Sequence, residues 1–275
     1  NWAREQVATA IGANSSEIYF TSGGTEADNL AVLGVAWANQ ERGRHIITSS
    51  IEHHAVMDTC KFLETKGFRV TYLPVDAKGV VSLEKLDQVL DEETILISIM
   101  QANNEIGSLQ PIKEIGERAW ARGIPFHTDA VQSFGKIPID VNQLGVSLLS
   151  ASAHKIYGPK GTGMLYLREG TPIHPLWYGG SQERKLRPGT ENLPGIVGFG
   201  KAAELALAEM EEVAGRLNKL RDRLLNEIKT KISGVKLNGH PTCRVPGHLN
   251  LSFMGLQGQE LLTLLSLKGI AASSG

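Results

Sequence analysis

Cysteine is scarce: Cys60 and Cys243 are the only two in 275 residues, too few to staple a chain of this length, and the expectation is a reducing compartment such as the cytoplasm. Charge of one sign is lacking as well. Twenty-eight basic against 29 acidic side chains leave a formal charge of −1, so nothing overall attracts nucleic acid or an anionic membrane. Apolar runs stop well short of the roughly 18 residues a membrane helix requires. Asn1 opens the chain without a basic-then-apolar leader, and Ala271-Ala272-Ser273-Ser274-Gly275 closes it, so both termini read as trimmed and targeting signals are not legible. No tandem repeat, low-complexity tract or charge block is present. The composition, 41% hydrophobic and 21% charged, is that of a globular protein whose partners are small molecules or other proteins.

Short β-branched or aromatic runs alternate with amphipathic stretches. Strands are expected at 17–21, 45–49, 69–75, 94–100, 124–129, 147–151 and 163–168, and helices at 25–42, 53–66, 82–90 and 111–122. This βαβ rhythm predicts an α/β fold: a large domain with a mainly parallel seven-stranded sheet flanked by helices, its last strand a short antiparallel edge. Residues 1–193 form that domain. A long Ala/Leu/Glu/Lys/Arg-rich helix over 194–232 links it to an incomplete small α+β domain at 233–275, with Gly198, Gly200 and Gly215 as bends or close-packing points. Strands at 235–237 and 249–253, a helix at 259–267 and a strand beginning at 270 complete the expectation.

Three segments carry chemistry. Thr21-Ser22-Gly23-Gly24-Thr25-Glu26 joins a strand to a helix through small residues, which exposes backbone N–H groups as a phosphate cradle or makes an ordinary capped turn. His127-Thr128-Asp129 ends a buried strand where open α/β sheets place ligands. Asp129 there is the partner of a protonated pyridine nitrogen, a structural cap, or a metal ligand with His127. Ser152-Ala153-His154-Lys155-Ile156-Tyr157-Gly158-Pro159 sets a lysine at a strand end before a stiff turn. Lys155 is a Schiff-base amine or a solvated loop lysine.

In chain order, T-S-G-G-T-E-A-D-N-L, E-H-H-A-V, N-N-E-I-G, H-T-D-A-V-Q, S-A-H-K-I-Y-G-P-K-G and R-P-G-T-E-N resemble the cysteine desulfurases of the class V aminotransferase family, which are pyridoxal-phosphate-dependent enzymes of the aspartate-aminotransferase-like fold. The resemblance implies that Lys155 carries pyridoxal 5'-phosphate in Schiff-base linkage and moves protons, with Asp129 on the pyridinium nitrogen. It places Gly24, Thr25, Ser152 and His154 on the phosphate side and Gln132 at the phenolic oxygen. His53 stacks on the ring and assists proton transfer, while His54 points to the surface. Asn104 lies near the substrate carboxylate and the ring, or is a structural turn residue. Thr190 matches a phosphate contact from a second subunit, which implies a homodimer.

The implied reaction converts L-cysteine to L-alanine and passes sulfur to an enzyme cysteine as a persulfide, for an iron–sulfur scaffold or another sulfur-acceptor protein. Two other readings share the motifs: a selenocysteine lyase, and a non-catalytic subunit of the same fold. In the family the nucleophilic cysteine follows a Ser-Ser-Gly such as Ser273-Ser274-Gly275, and a substrate-clamping arginine lies further on; neither is in this sequence. Cys60, with Val56 and Leu63 on one helix face, reads as packing. Cys243, between His240 and His248, reads as a loop cysteine, with zinc or a lowered thiol pKa as the alternatives. Gly158 to Gly163 reads as a tight turn rather than a nucleotide loop. Arg184, Lys185 and Arg187 are a solvated cluster or cofactor-phosphate support.

Overall fold

The computed structural model describes residues 1–274. Seven strands form one sheet: β1 Ile18–Thr21, β2 His45–Ser49, β3 Arg69–Leu73, β4 Thr94–Ser98, β5 Phe126–Asp129, β6 Leu148–Ser152 and β7 Gly163–Leu167. Their spatial order is β1-β7-β6-β5-β4-β2-β3. β3, β2, β4, β5 and β6 run parallel, and β7 runs against both of its neighbours. The antiparallel strand is therefore not the edge. β1 caps that side, pairing Ile18 with Tyr166 through Thr21 with Gly163, because the chain closes the sheet by inserting its last strand beside its first.

Every residue of β2, β4, β5, β6 and β7 is buried, as expected of strands covered on both faces. Helices α2 Gly24–Asn39 and α3 His54–Glu64 cover one face. The other is covered by α1 Trp2–Thr9, α4 Leu83–Val89, α5 Ile112–Ala121 and the start of α7 Leu193–Lys231. A one-turn helix, α6 Val141–Leu144, capped by Asp140, precedes β6. α1 has no counterpart among the expected elements; it packs along α7. Gly200 permits that approach, since a Cβ there would lie 2.6 Å from the Cα of Ala3. Gly198 likewise packs against Pro159, whereas Gly215 meets nothing and α7 runs through it unbroken.

Asn192 caps α7 by accepting from the Gly195 N–H at 3.1 Å, with Pro194 in the first turn where its missing donor costs nothing. Beyond α7 lie an antiparallel pair, β8 Val235–Leu237 with β9 Leu251–Phe253, and α8 Gly258–Leu267. The strand expected from Ile270 is absent: residues 270–272 carry no regular structure. Gly275 lies outside the described residues. Among the described residues no helix is long and apolar enough to cross a membrane.

Candidate active site

The carboxyl ends of the parallel strands and the N-terminus of α2 converge, the location where open α/β sheets bind ligands. Alternation along β5 turns His127 and Asp129 toward α2, and along β6 it turns Ser150 and Ser152 the same way, while Phe126, Leu149 and Ala151 enter the opposite core. A polar strip thus runs under α2 inside an otherwise apolar sheet.

The cradle forms at the start of α2. Its N-cap, Gly23, offers no side-chain cap, so the first amides of the helix have no competing side-chain acceptor from that position. An open cavity of about 380 Å³ meets them, lined also by Thr25, Ser152, His154 and Lys160. Absence of side chains keeps it open: a Cβ on Gly163 would fall 2.6 Å from the backbone of Gly23, and one on Gly24 would fall 2.7 Å from Val131. Ser152 Oγ and His154 Nδ1 lie 2.8 Å apart. Burial, followed by the charges of Lys155 and Lys160, lowers the His154 pKa. Glu26 is the one acid of the first turn. Burial opposes its ionisation, but hydrogen bonds from Arg187 and Ser22 outweigh that and hold it below the usual carboxylate range. Arg187 Nε donates to Glu26 at 2.8 Å, so this arginine of the 184–187 cluster serves the cradle's architecture from within the same chain. Arg184 instead stacks on Tyr19, 3.8 Å from the ring centre.

Asp129 is 6% exposed. Its Oδ1 accepts from the Val131 N–H at 2.8 Å, and its other oxygen has no hydrogen-bond partner among the described residues. Burial raises its pKa; the Val131 N–H and the nearby His53 and Lys155 offset this in part. A buried carboxylate with one oxygen unengaged requires a cation. Lys155 stands on a short 3₁₀ turn, Ala153–Ile156, directly after β6, half-buried and followed by Tyr157 in the left-handed conformation. Gln132 is half-buried beyond Asp129, its Oε1 3.5 Å from Lys136 Nζ.

His53 is the N-cap of α3 rather than its first residue: its Nδ1 accepts from the Ala55 N–H at 3.1 Å, which leaves Nε2 as the protonated nitrogen of the neutral ring. His54 points outward and pairs with Asp58. Asn104 is half-buried in a turn whose form is set by its neighbour. Asn103 Oδ1 accepts from the N–H groups of Glu105 and Ile106, and its Nδ2 donates to the Ile51 carbonyl. Thr190 is exposed and does not line the cradle. Cys60 is fully buried and its thiol is pushed up to about 12, chiefly by burial. Cys243 is exposed, with its backbone N–H on His240 Nδ1 at 2.8 Å, so that ring nitrogen is already engaged. Sequence reasoning missed Glu52, Asn103 and Lys136, because polar residues that act through packing carry no periodic signal.

The chain matches the family model "Aminotransferase class-V" over residues 1–275. It is 59% identical to the cysteine desulfurase IscS of Methanosarcina thermophila over 275 residues, covering all of this chain and 68% of that protein. The IscS of Dictyoglomus turgidum is 55% identical over 273 residues, 99% of this chain and 69% of that one. Among solved structures, a NifS-like protein superposes with a TM-score of 0.96 at 45% identity, over 99% of this chain and 75% of the other. SspA in complex with cysteine superposes with a TM-score of 0.84 at 39% identity, over the whole of this chain and 76% of the other. The convergence of a lysine, a buried aspartate and an open helix N-terminus thus has its counterpart in ancestry: the chain belongs to the class V aminotransferase family, on its cysteine desulfurase branch.

Proposed function

We propose that this chain provides the cofactor- and substrate-binding core of a pyridoxal-5'-phosphate-dependent cysteine desulfurase. The observation that carries the reading is the nearness of Lys155 to the buried carboxylate of Asp129, together with the open N-terminus of α2 lined by Ser152 and His154, on the strand and turn that lead to Lys155. The pieces fit the cofactor by charge: the helix N-terminus and the cations beside it suit a phosphate, and the unengaged oxygen of Asp129 suits a protonated ring nitrogen. When bound, the cofactor supplies an aldehyde and an electron-withdrawing ring. Lys155 offers the amine that the aldehyde needs, and afterwards a base that takes and returns a proton. With the cofactor bound, Asp129 would hold the ring nitrogen's proton, Gln132 would meet the phenolic oxygen, and His53 would stack on the ring and assist proton transfer. Gly24, Thr25, Ser152 and His154 hold the phosphate, and Asn104 orients the substrate carboxylate.

In the proposed reaction L-cysteine yields L-alanine, and its sulfur atom passes to an enzyme thiol, which becomes a persulfide for an iron–sulfur scaffold or another acceptor protein. Buried Cys60 is unsuited to that attack, since a thiol pushed up to about 12 supplies almost no thiolate at neutral pH. Residues 1–193 form the cofactor-binding domain, 194–232 the link and 233–275 part of a small domain. Thr190 serves the cradle of a second copy in a homodimer; its exposure, with that of Leu193 and Val197, supports the assignment. Two free cysteines support a cytoplasmic setting. Borohydride reduction of the chain incubated with pyridoxal phosphate, followed by peptide mass mapping, tests the core of the proposal. A phosphopyridoxyl adduct on Lys155 is expected, and its absence from folded protein would overturn the cofactor reading.

A further inference from the structure

A second carboxyl group lies beneath the site and has no role in the chemistry above. Asp28 stands in the second turn of α2, 1% exposed, facing the polar strip of the sheet. Its Oδ1 is fully buried without a hydrogen-bond partner. The nearest basic group is His127, with Nε2 at 3.5 Å, beyond good hydrogen-bond distance. His127 is itself engaged on both sides: Nδ1 is 2.8 Å from Ser98 Oγ, and Nε2 is 2.9 Å from Ser150 Oγ. The Ser150 hydroxyl is close enough to Asp28 to favour its ionised form in part.

An ionised Asp28 would be a buried charge without a cation and an oxygen without a donor, the costliest state open to a carboxyl group. His127 gives no counter-charge, because complete burial drives its pKa down to about 3 and keeps the ring neutral. Asp129 differs in each respect. It accepts the Val131 N–H and has His53 and Lys155 close enough to act on its charge. Two neighbouring buried carboxylates do not both ionise. We propose that Asp28 is held as a neutral acid beside the hydrogen-bonded Ser150–His127 pair, and that this places the single negative charge of the Asp28–Asp129 pair on Asp129.

Of the influences on Asp28 only the Ser150 hydroxyl favours ionisation, and the rest outweigh it. From β5 there are Asp129 and neutral His127, from β6 the Ser150 hydroxyl, and from the loop after β2 Glu52; burial first, then the charges of Asp129 and Glu52, drive the Asp28 pKa well up. Asp28 is accordingly a positioning residue. Were it ionised, repulsion would push the proton onto Asp129 and remove the charge that the ring nitrogen pairs with, a role that rests on the cofactor reading given above.

Carboxyl NMR of the cofactor-free chain, labelled with 13C only in aspartate so that Glu52 is silent, tests the assignment. One aspartate signal at the position of a protonated acid is expected at neutral pH, lost in D28N and retained in D129N. No such signal, or one that survives D28N, would overturn the proposal. If D28N does not fold, retention in D129N makes the assignment and loss there overturns it. A second readout uses bound pyridoxal phosphate: the pH midpoint of its absorption change is expected to coincide in wild type and D28N. Loss of a real negative charge would lower that midpoint, and a clear downward shift would overturn the proposal. Failure of the Lys155 adduct would remove the cofactor reading while leaving the apoprotein signal in place, so the two failures are distinguishable.

Discussion

Glu52 and Met100 tie the ends of β2 and β4 together. The backbone N–H of Met100 lies 2.9 Å from Oε1 and 3.1 Å from Oε2 of the Glu52 side chain, and the Ser49 hydroxyl donates to Oε1 at 2.6 Å. The residue after Glu52 is His53. The anchoring of this acid to the sheet therefore fixes where the imidazole leaves the β2–α3 loop. The cost falls on ionisation: burial outweighs these hydrogen bonds and raises the Glu52 pKa to about 8.

That shift makes a prediction about pH. A carboxyl group raised from 4.5 to about 8 on folding binds more protons in the native state than in the unfolded one, so its contribution to stability is complete at low pH. It is lost progressively as pH rises through that window. Glu52→Gln mimics the neutral acid. Thermal unfolding followed between about pH 5 and about pH 8 is expected to fall less steeply with pH in the variant than in the wild type. Parallel curves would mean that Glu52 is already ionised in the native state.

Asp129→Asn keeps the acceptor for the Val131 N–H and removes the charge. A charge-assisted hydrogen bond contributes about 1.5 to 3 kcal/mol, so the affinity for pyridoxal phosphate, followed by its absorbance, is expected to drop by roughly tenfold to a hundredfold. The unfolding temperature, by contrast, is expected not to fall, because burial of the carboxylate outweighs the Val131 N–H and the nearby Lys155 and His53 that favour it. Unchanged affinity would remove the ring-nitrogen role.

What could be read in advance divides along physical lines. β2 and β8 fall on the expected residues, and α2 and α5 within a few, because buried strands and amphipathic helices carry their period in the sequence. The placement of β7 inside the sheet was not legible, since strand order depends on which edge the chain closes last. α1 is short and gains its helical state by packing on α7. At the site, Asp129 and Lys155 were legible as polar residues ending apolar strands. Their supports were not: Glu26 and Arg187 are 161 positions apart, and Asp28 becomes notable only when its oxygen is found buried and unpartnered.

Gly24 couples the cradle to Asp129. A Cβ at this position would stand 2.7 Å from Val131 Cγ2, and the N–H of Val131 holds the Asp129 carboxylate. Gly24→Ala is thus expected to weaken pyridoxal phosphate binding several-fold although alanine favours the helix by about 0.5 to 1 kcal/mol. Val131→Ala in the same chain opens the space and is expected to restore most of the loss. A double-mutant cycle on cofactor affinity gives the coupling; strictly additive losses would mean that the two positions act separately.

The last prediction concerns Arg244, which is 5% exposed and has no carboxylate partner among the described residues. One guanidinium nitrogen, Nη2, donates to the carbonyls of Ile106 and Asn238, at 2.8 and 2.6 Å. Burial and the charge of Arg221 lower its pKa, a sign that it sits where a cation is costly. The Ile106 carbonyl belongs to the turn that carries Asn104, and the same turn is bridged again to the loop around Arg244 by Leu109 N–H on the Cys243 carbonyl and Val245 N–H on the Gly107 carbonyl. Residues that follow α7 therefore hold one side of the turn that carries Asn104. Arg244→Met keeps most of the volume and removes the donor of two part-buried carbonyls, at about 0.5 to 1.5 kcal/mol each. Amide hydrogen exchange is expected to rise together in residues 103–109 and 238–245, while the strands of the large sheet keep their protection. Faster exchange in only one of the two segments would show that Arg244 stabilises its own loop and does not hold the turn.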